Sequence, residues 1–193
     1  MKTLQIDART RLRPVRRADA EALFALTDAN RAHLREWLPW LDAIRTEKDT
    51  EAFVQACVER ARQTGAFTGV IEHEGEPCGV AGFNWIDAAN RACEIGYWLG
   101  AAYVGRGLMT GCCRALIAHA FEVAKLNRVN IPAAVDNLRS RAIPERLGFT
   151  QDGVLRDAEW LYDHYVDHAL YSLLRRDWRD GQAAADGKAG QDE

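Results

Sequence analysis

Between residues 91 and 123 the chain runs without a break through a strand pattern, a glycine-bearing turn and an amphipathic helix. Arg91 to Leu99 reads as a strand and closes on Glu94-Ile95-Gly96-Tyr97-Trp98-Leu99. Tyr103-Val104-Gly105-Arg106-Gly107 follows, and then a helix with Leu108, Cys112, Ala115, Leu116, His119, Ala120 and Val123 at its apolar positions. Glycine lets the backbone turn sharply so that its N–H groups converge, and the helix start adds the positive end of its dipole. Together they make a seat for an anion such as a pyrophosphate. The turn lacks both the six-residue dinucleotide fingerprint and the lysine-bearing P-loop pattern, so alone it does not name the anion.

The flanking segments complete the fold. Thr10 to Val15 is a short strand or extended lead-in. Asp19 caps a helix carrying Ala22, Leu23, Leu26 and Ala29. A second helical stretch with Leu34, Trp37, Leu38 and Leu41 is interrupted by Pro39, and a third, Lys48 to Gln63, presents Ala52, Phe53, Ala56, Cys57 and Arg60. Phe67 to His73 and Cys78 to Ile86 are strand-like around Glu74-Gly75-Glu76-Pro77. After the long helix come a strand (Arg128 to Val135), a short helix (Leu138 to Leu147) stopped by Gly148, and two strands, Phe149 to Arg156 and His164 to Leu174. This order predicts an α/β (α+β) chain with a central mixed, mostly antiparallel sheet and helices on both faces.

Length allows one core: residues 1–180 as a single domain, with 181–193, dominated by Gly, Ala, Asp, Lys and Gln, as a disordered tail. A formal charge of −3 weighs against direct binding to nucleic acid. No run approaches the ~18 apolar residues of a membrane span, and the charged N-terminus has no apolar stretch with a cleavage site. Five cysteines without a CxxC pair disfavour a disulfide framework or structural zinc. The expectation is a cytoplasmic protein without a metal; a homodimer is left open.

The stretch Glu94-Ile-Gly-Tyr-Trp-Leu, the loop Gly105-Arg-Gly-Leu-Met-Thr110 and the long helix resemble the acetyl-CoA motif of the GCN5-related N-acetyltransferases, the GNAT family. Asn127-Arg128-Val129, Asp136-Asn137-x-x-Ser140 and Glu145-Arg-Leu-Gly-Phe149 follow in that family's order, and the likeness spans about Arg9 to Arg176. Ile95-Gly-Tyr-Trp-Leu99, Gly107-Leu-Met-Thr110 and Ala158-Glu159-Trp160-Leu-Tyr-Asp-His-Tyr-Val-Asp167 bring it closest to the Rim-type ribosomal-protein-serine N-acetyltransferases. The chain departs from the pattern at Val104, where Gln or Arg is usual, and at Met109, where Gly or Ala is. Pro132 falls in the strand that normally faces Tyr97–Leu99; because those strands splay apart in the family, a missing donor there is tolerated.

The resemblance implies acetyl-CoA as co-substrate, held by the backbone of Gly105, Arg106, Gly107, Leu108, Met109 and Thr110 at its pyrophosphate. The backbone of Trp98 and Leu99 would then orient the pantetheine arm and polarise the thioester carbonyl. Asn137 contacts the pantetheine, caps the helix, or both. It further implies Glu159 as the base for the acceptor amine and Ser140 as the donor of a proton to the departing thiolate. Their ordinary readings are a surface glutamate and a helix-capping serine. Pro144 lacks the N–H that would bond the Ser140 carbonyl, so the helix is expected to bend there. Trp37 and Trp40 either staple the early helices to the sheet or wall the acceptor groove, and Trp160, beside the candidate base, is expected with them on the acceptor side. An α-amine, with a pKa near 7.7–8.0 against ~10.4 for lysine, is the easier acceptor to deprotonate.

The leading function is therefore acetyl transfer by direct attack of an amine, the α-amine of a (ribosomal) protein foremost. A small amine such as an antibiotic, polyamine or amino acid is the alternative acceptor, and a non-catalytic acyl-CoA-binding module the third reading. His164 and His168, flanked by Asp163 and Asp167, would form a metal-like cluster if helical; loop followed by strand is the preferred reading. Cys112-Cys113 with His119 would suit a ping-pong mechanism, but packing is the simpler role for cysteine on a buried face.

Overall fold

The computed structural model describes residues 2–178. The expected tail at 181–193 lies outside them. Eight strands form one sheet in the order β1-β2-β3-β4-β5-β6-β8-β7. These are β1 (Leu4–Gln5), β2 (Thr10–Pro14), β3 (Thr68–His73), β4 (Glu76–Asp87), β5 (Ala92–Leu99), β6 (Arg128–Ala134), β7 (Thr150–Leu161) and β8 (His164–Leu174). Every neighbouring pair is antiparallel except β5–β6. The helices are α1 (Ala20–Ala29), α2 (Arg31–Arg35), α3 (Glu47–Thr64), α4 (Leu108–Ala118) and α5 (Leu138–Arg146).

Strand alternation sends one set of side chains to each face. On one face α4 packs Leu108, Cys112 and Leu116 over Ile71, Phe83, Ile95 and Ile131. On the other, Leu23 of α1 and Val54 and Cys57 of α3 bury against Val70, Val80 and Trp98. Arg13 ties this second layer to the sheet: buried on β2, it donates to Asp19 at 2.7 and 2.8 Å and to Glu72 on β3 at 2.7 Å.

Four local readings are corrected. Asp19 occupies the position before α1, but its carboxylate is taken by Arg13 and the Arg16 N–H, so it makes no side-chain cap to α1. The second helix is only Arg31–Arg35; the chain turns at Glu36–Trp37 and again at Pro39–Trp40 before a short 3-10 turn at Leu41–Ala43. On α3 the buried stripe is Thr50, Val54 and Cys57, which leaves Phe53 42% exposed. Past Ala118 the long helix loosens into a π turn, with Ala124 N–H bonding His119 O at 3.0 Å. That extra residue rotates the face, burying Phe121 and leaving Val123 exposed.

Candidate active site

The β5–β6 ladder holds only from Ala92/Arg128 to Glu94/Asn130. Beyond it the strands separate, and Pro132 comes after the last shared pair; it is matched to Leu170 of β8 instead. Two cavities open from the gap. The first, of about 1460 Å³, runs along the start of α4 and α5. The second, of about 720 Å³, lies on the α1–α3 side of the sheet. Trp37, Leu38, Tyr97, Trp98, Asn137 and Ser140 line both, so the cavities meet at one shared wall.

In the first cavity a glycine turn, a helix start and four arginines come together. Gly105 and Gly107 take φ of +80° and +78°, the left-handed conformation that favours glycine, and a Cβ on either would meet nothing within 4 Å. The backbone N–H groups of the first turn of α4 have no partner inside the helix. Leu108 and Met109 bury their side chains in the core, so backbone is what they offer the groove. Met109 at a position of Gly or Ala is accommodated this way. Arg106, Arg114, Arg139 and Arg146 line the same groove. Arg146 Nη1 donates to Thr110 Oγ1 at 2.9 Å, closing the end of α5 over the start of α4.

At the shared wall, Asn137 caps α5: its Oδ1 accepts the Ser140 N–H at 3.0 Å. The Tyr97 hydroxyl lies 3.2 Å from Ser140 Oγ and 3.2 Å from the Ser140 carbonyl oxygen. Burial pushes this phenol well above the usual tyrosine range, with Cys113 adding to the effect and the Ser140 hydrogen bond opposing it.

The second cavity has a hollow floor. Gly82 of β4 and Gly96 of β5 are register partners, and around them stand Val80, Asn84, Glu94 and Trp98. Asn84 Nδ2 donates to Glu94 Oε1 at 2.9 Å. Glu159 and His168 line the far side, with Glu159 Oε2 3.5 Å from His168 Nε2. Trp40 covers the cavity with its ring centroid 6.2 Å from that of Trp98, and Trp37 reaches both cavities. The covering segment is pinned from β7–β8: the Tyr162 hydroxyl donates to the Leu38 carbonyl, and the Arg35 guanidinium sits 3.7 Å over the Tyr162 ring.

The structure thus brings Glu159, Ser140, Trp37, Trp40, Trp98, Leu99, Asn137 and residues 105–110 to one connected site. It does not bring Trp160 there. That ring is 52% exposed and packs edge-on against Tyr165, 4.8 Å between centroids. His164 is exposed and bonded to Asp163, while His168 faces the cavity, so the two rings part company. Among the described residues no cluster of three or more His, Cys, Asp or Glu side chains is placed to hold a metal. The sequence pattern alone does not single out Glu94, Asn84, Tyr97 or, beyond Arg106, the lining arginines Arg114, Arg139 and Arg146. Glu94 was within reach of it, because strand alternation puts residues 94, 96 and 98 on one face; Asn84 needed the β4–β5 register.

A glycine turn at a helix start, set beside parted strands and joined through one wall to a second cavity, is the arrangement of a two-substrate transferase. Residues 9–150 match the family of the acetyltransferase (GNAT) domain. The chain belongs to that family and is an acetyl-CoA-dependent N-acetyltransferase. It is 35% identical to YdaF of Bacillus subtilis (strain 168) over 182 residues, covering 92% of this chain and 98% of that one. With the ribosomal-protein-serine acetyltransferase of Escherichia coli (strain K12) it shares 33% over 173 residues, 90% of this chain and 97% of the relative. The solved structure of RimL, the ribosomal L7/L12 alpha-N-protein acetyltransferase, with coenzyme A superposes with a TM-score of 0.86. The identity there is 30%, over 90% of this chain and 98% of that one. The microcin C7 self-immunity acetyltransferase MccE, solved with acetyl-CoA and AMP, gives 0.84 at 28% identity, over 89% and 95% of the two chains.

Proposed function

We propose that the acceptor is the N-terminal α-amine of a protein, a ribosomal protein foremost, and that the reaction proceeds in the cytoplasm by direct attack. The observation carrying this reading is the shared wall, with Glu159 on the acceptor side and Ser140 on the wall itself. The names of the relatives, which acetylate ribosomal proteins, support the choice of acceptor.

Bound acetyl-CoA supplies a thioester whose carbonyl carbon accepts the amine. The backbone from Gly105 to Thr110 takes the pyrophosphate, and the four arginines of the groove balance its charge. Trp98 and Leu99 offer backbone N–H and C=O groups to the pantetheine arm from the side of β5 that β6 has left. Glu159 accepts the proton of the attacking amine, directly or through water, and Ser140 Oγ–H donates to the departing sulfur. Glu94, held by Asn84, adds a second carboxylate for an acceptor that arrives as a cation.

A second reading, a small amine acceptor, is favoured by the likeness to MccE, a self-immunity acetyltransferase whose structure holds the small molecule AMP beside acetyl-CoA. Acetyl-CoA is therefore offered with Ser- and Ala-starting peptides, the same peptides blocked at the N-terminus, and free amines: spermidine, an amine-bearing antibiotic and amino acids. Thiol release with unblocked peptides alone supports the protein α-amine. Release with free amines alone replaces it by the second reading.

A further inference from the structure

We propose that Tyr97 and Pro144 are positioning residues that hold Ser140 Oγ where the two cavities meet, an inference that rests on the reading of Ser140 as proton donor. In a regular helix the carbonyl of residue 140 accepts the N–H of residue 144. Position 144 is proline, which has none, so α5 leaves the Ser140 carbonyl without its helical donor. The Tyr97 hydroxyl fills the gap from β5, 3.2 Å from that carbonyl.

A carbonyl oxygen only accepts, so the single proton of Tyr97 is committed to it. The same phenol oxygen lies 3.2 Å from Ser140 Oγ and is left as an acceptor there. Ser140 is then fixed at three points: its N–H by Asn137 Oδ1, its carbonyl by Tyr97, and its hydroxyl by the oxygen of Tyr97. One rotation about the Cβ–Oγ bond moves the serine proton from Tyr97 to the cleft.

In the transfer step the Oγ–H bond of Ser140 breaks as the S–H bond of free coenzyme A forms. Ser140 recovers a proton from solvent, matched by the one the acceptor amine gives up. Tyr97 keeps its proton throughout, because its burial holds it as the neutral phenol. It acts on the transfer only through the serine, and that makes it a positioning group.

The test measures kcat and the KM for acetyl-CoA by thiol release in Tyr97→Phe, Pro144→Ala and the double variant, with Ser140→Ala alongside. Tyr97→Phe is expected to lower kcat roughly tenfold or more, with a larger solvent isotope effect and a KM for acetyl-CoA within about twofold of wild type. Pro144→Ala restores an N–H that competes for the Ser140 carbonyl, so kcat falls less. The double variant is expected to be no slower than Tyr97→Phe, because both changes act on one contact. A packing role alone would instead give losses that multiply, accompanied by a lower Tm. Multiplying losses, or a Tyr97→Phe enzyme as fast as wild type, overturn the proposal. If Ser140→Ala keeps full turnover, the proton-donor reading falls and the positioning role with it. If Ser140→Ala is slow and Tyr97→Phe is not, the positioning role alone is lost.

Discussion

Glu159 Oε2 lies 3.5 Å from His168 Nε2, although the two residues are not opposite each other in the ladder. Glu159 pairs with Val166, and His168 pairs with Leu155. Between those pairs Arg156, Asp157 and Ala158 oppose Asp167 alone, a wide irregularity in β7. Asp157 takes a positive φ of 48° inside it, and its N–H bonds Asp167 Oδ1 at 2.8 Å. The bulge draws Glu159 back along β8 to the side of His168, as bulges beside functional sites re-aim a side chain.

Glu159→Gln keeps the shape of this contact and removes the proton acceptor. Turnover is expected to fall about 10²-fold or more, the usual loss for a general base, with acetyl-CoA affinity close to wild type. His168→Ala leaves the carboxylate in place but unsteadied, so a smaller loss is expected. Stopped-flow thiol release for turnover and calorimetry for cofactor binding check both. Wild-type turnover in Glu159→Gln would remove that residue from the mechanism.

At the anion seat, Gly107→Ala places a Cβ at φ +78°. Space is not the obstacle, since nothing lies within 4 Å; the left-handed backbone is, at roughly 1–2 kcal/mol. Relief of that strain turns the converging N–H groups away. Acetyl-CoA is expected to bind roughly tenfold more weakly, tenfold corresponding to about 1.4 kcal/mol, with little change in the KM of the acceptor. Calorimetric titration with coenzyme A measures it directly.

The glycine pair beneath the acceptor separates stability from function. A Cβ on Gly82 would stand 2.2 Å from the Phe67 carbonyl oxygen and 2.8 Å from Thr68 Cα, both backbone. Gly82→Ala should therefore destabilise the fold by about 1–3 kcal/mol, seen as a lower Tm. For a Cβ on Gly96 the nearest atoms are instead those of the Asn84 side chain, at 2.4–2.8 Å. That amide can swing aside, which releases Glu94. Gly96→Ala is expected to keep its Tm near wild type and to raise the acceptor KM. Equal Tm losses in the two variants would show that the floor does not yield as described.

The legible parts were those written in local pattern. The strand, glycine turn and helix from residues 91 to 118 stand where alternation, φ freedom and 3.6-residue spacing put them. Pro144 also announced the open Ser140 carbonyl, since a missing N–H is a property of one residue. What fills that opening was not legible, because Tyr97 reaches Ser140 across 43 positions of sequence. The bulge that pairs Glu159 with His168 was hidden for the same reason: two-residue alternation has no term for three residues opposing one. Trp160, adjacent to Glu159 in sequence, was read toward the acceptor by proximity, yet neighbours on a strand point to opposite faces.

The five cysteines, all free and buried, give the last prediction. A ping-pong route through an acetyl-cysteine needs a thiolate within reach of the thioester. Burial pushes the thiols of Cys93 and Cys112 up to about 12 and that of Cys78 up to about 11. Cys113, fully enclosed next to Cys112, is also raised well above the usual range, mainly by burial. His119, seven residues from Cys112, does not help: burial lowers its pKa, so it is a poorer proton acceptor than ordinary histidine. A neutral aromatic disulfide reagent is therefore expected to label none of the five thiols in the native enzyme and all five after unfolding in guanidinium. Enzyme incubated with acetyl-CoA without an acceptor should keep its unmodified mass. A stable acetyl adduct on Cys112 or Cys113 would replace direct attack by a two-step mechanism.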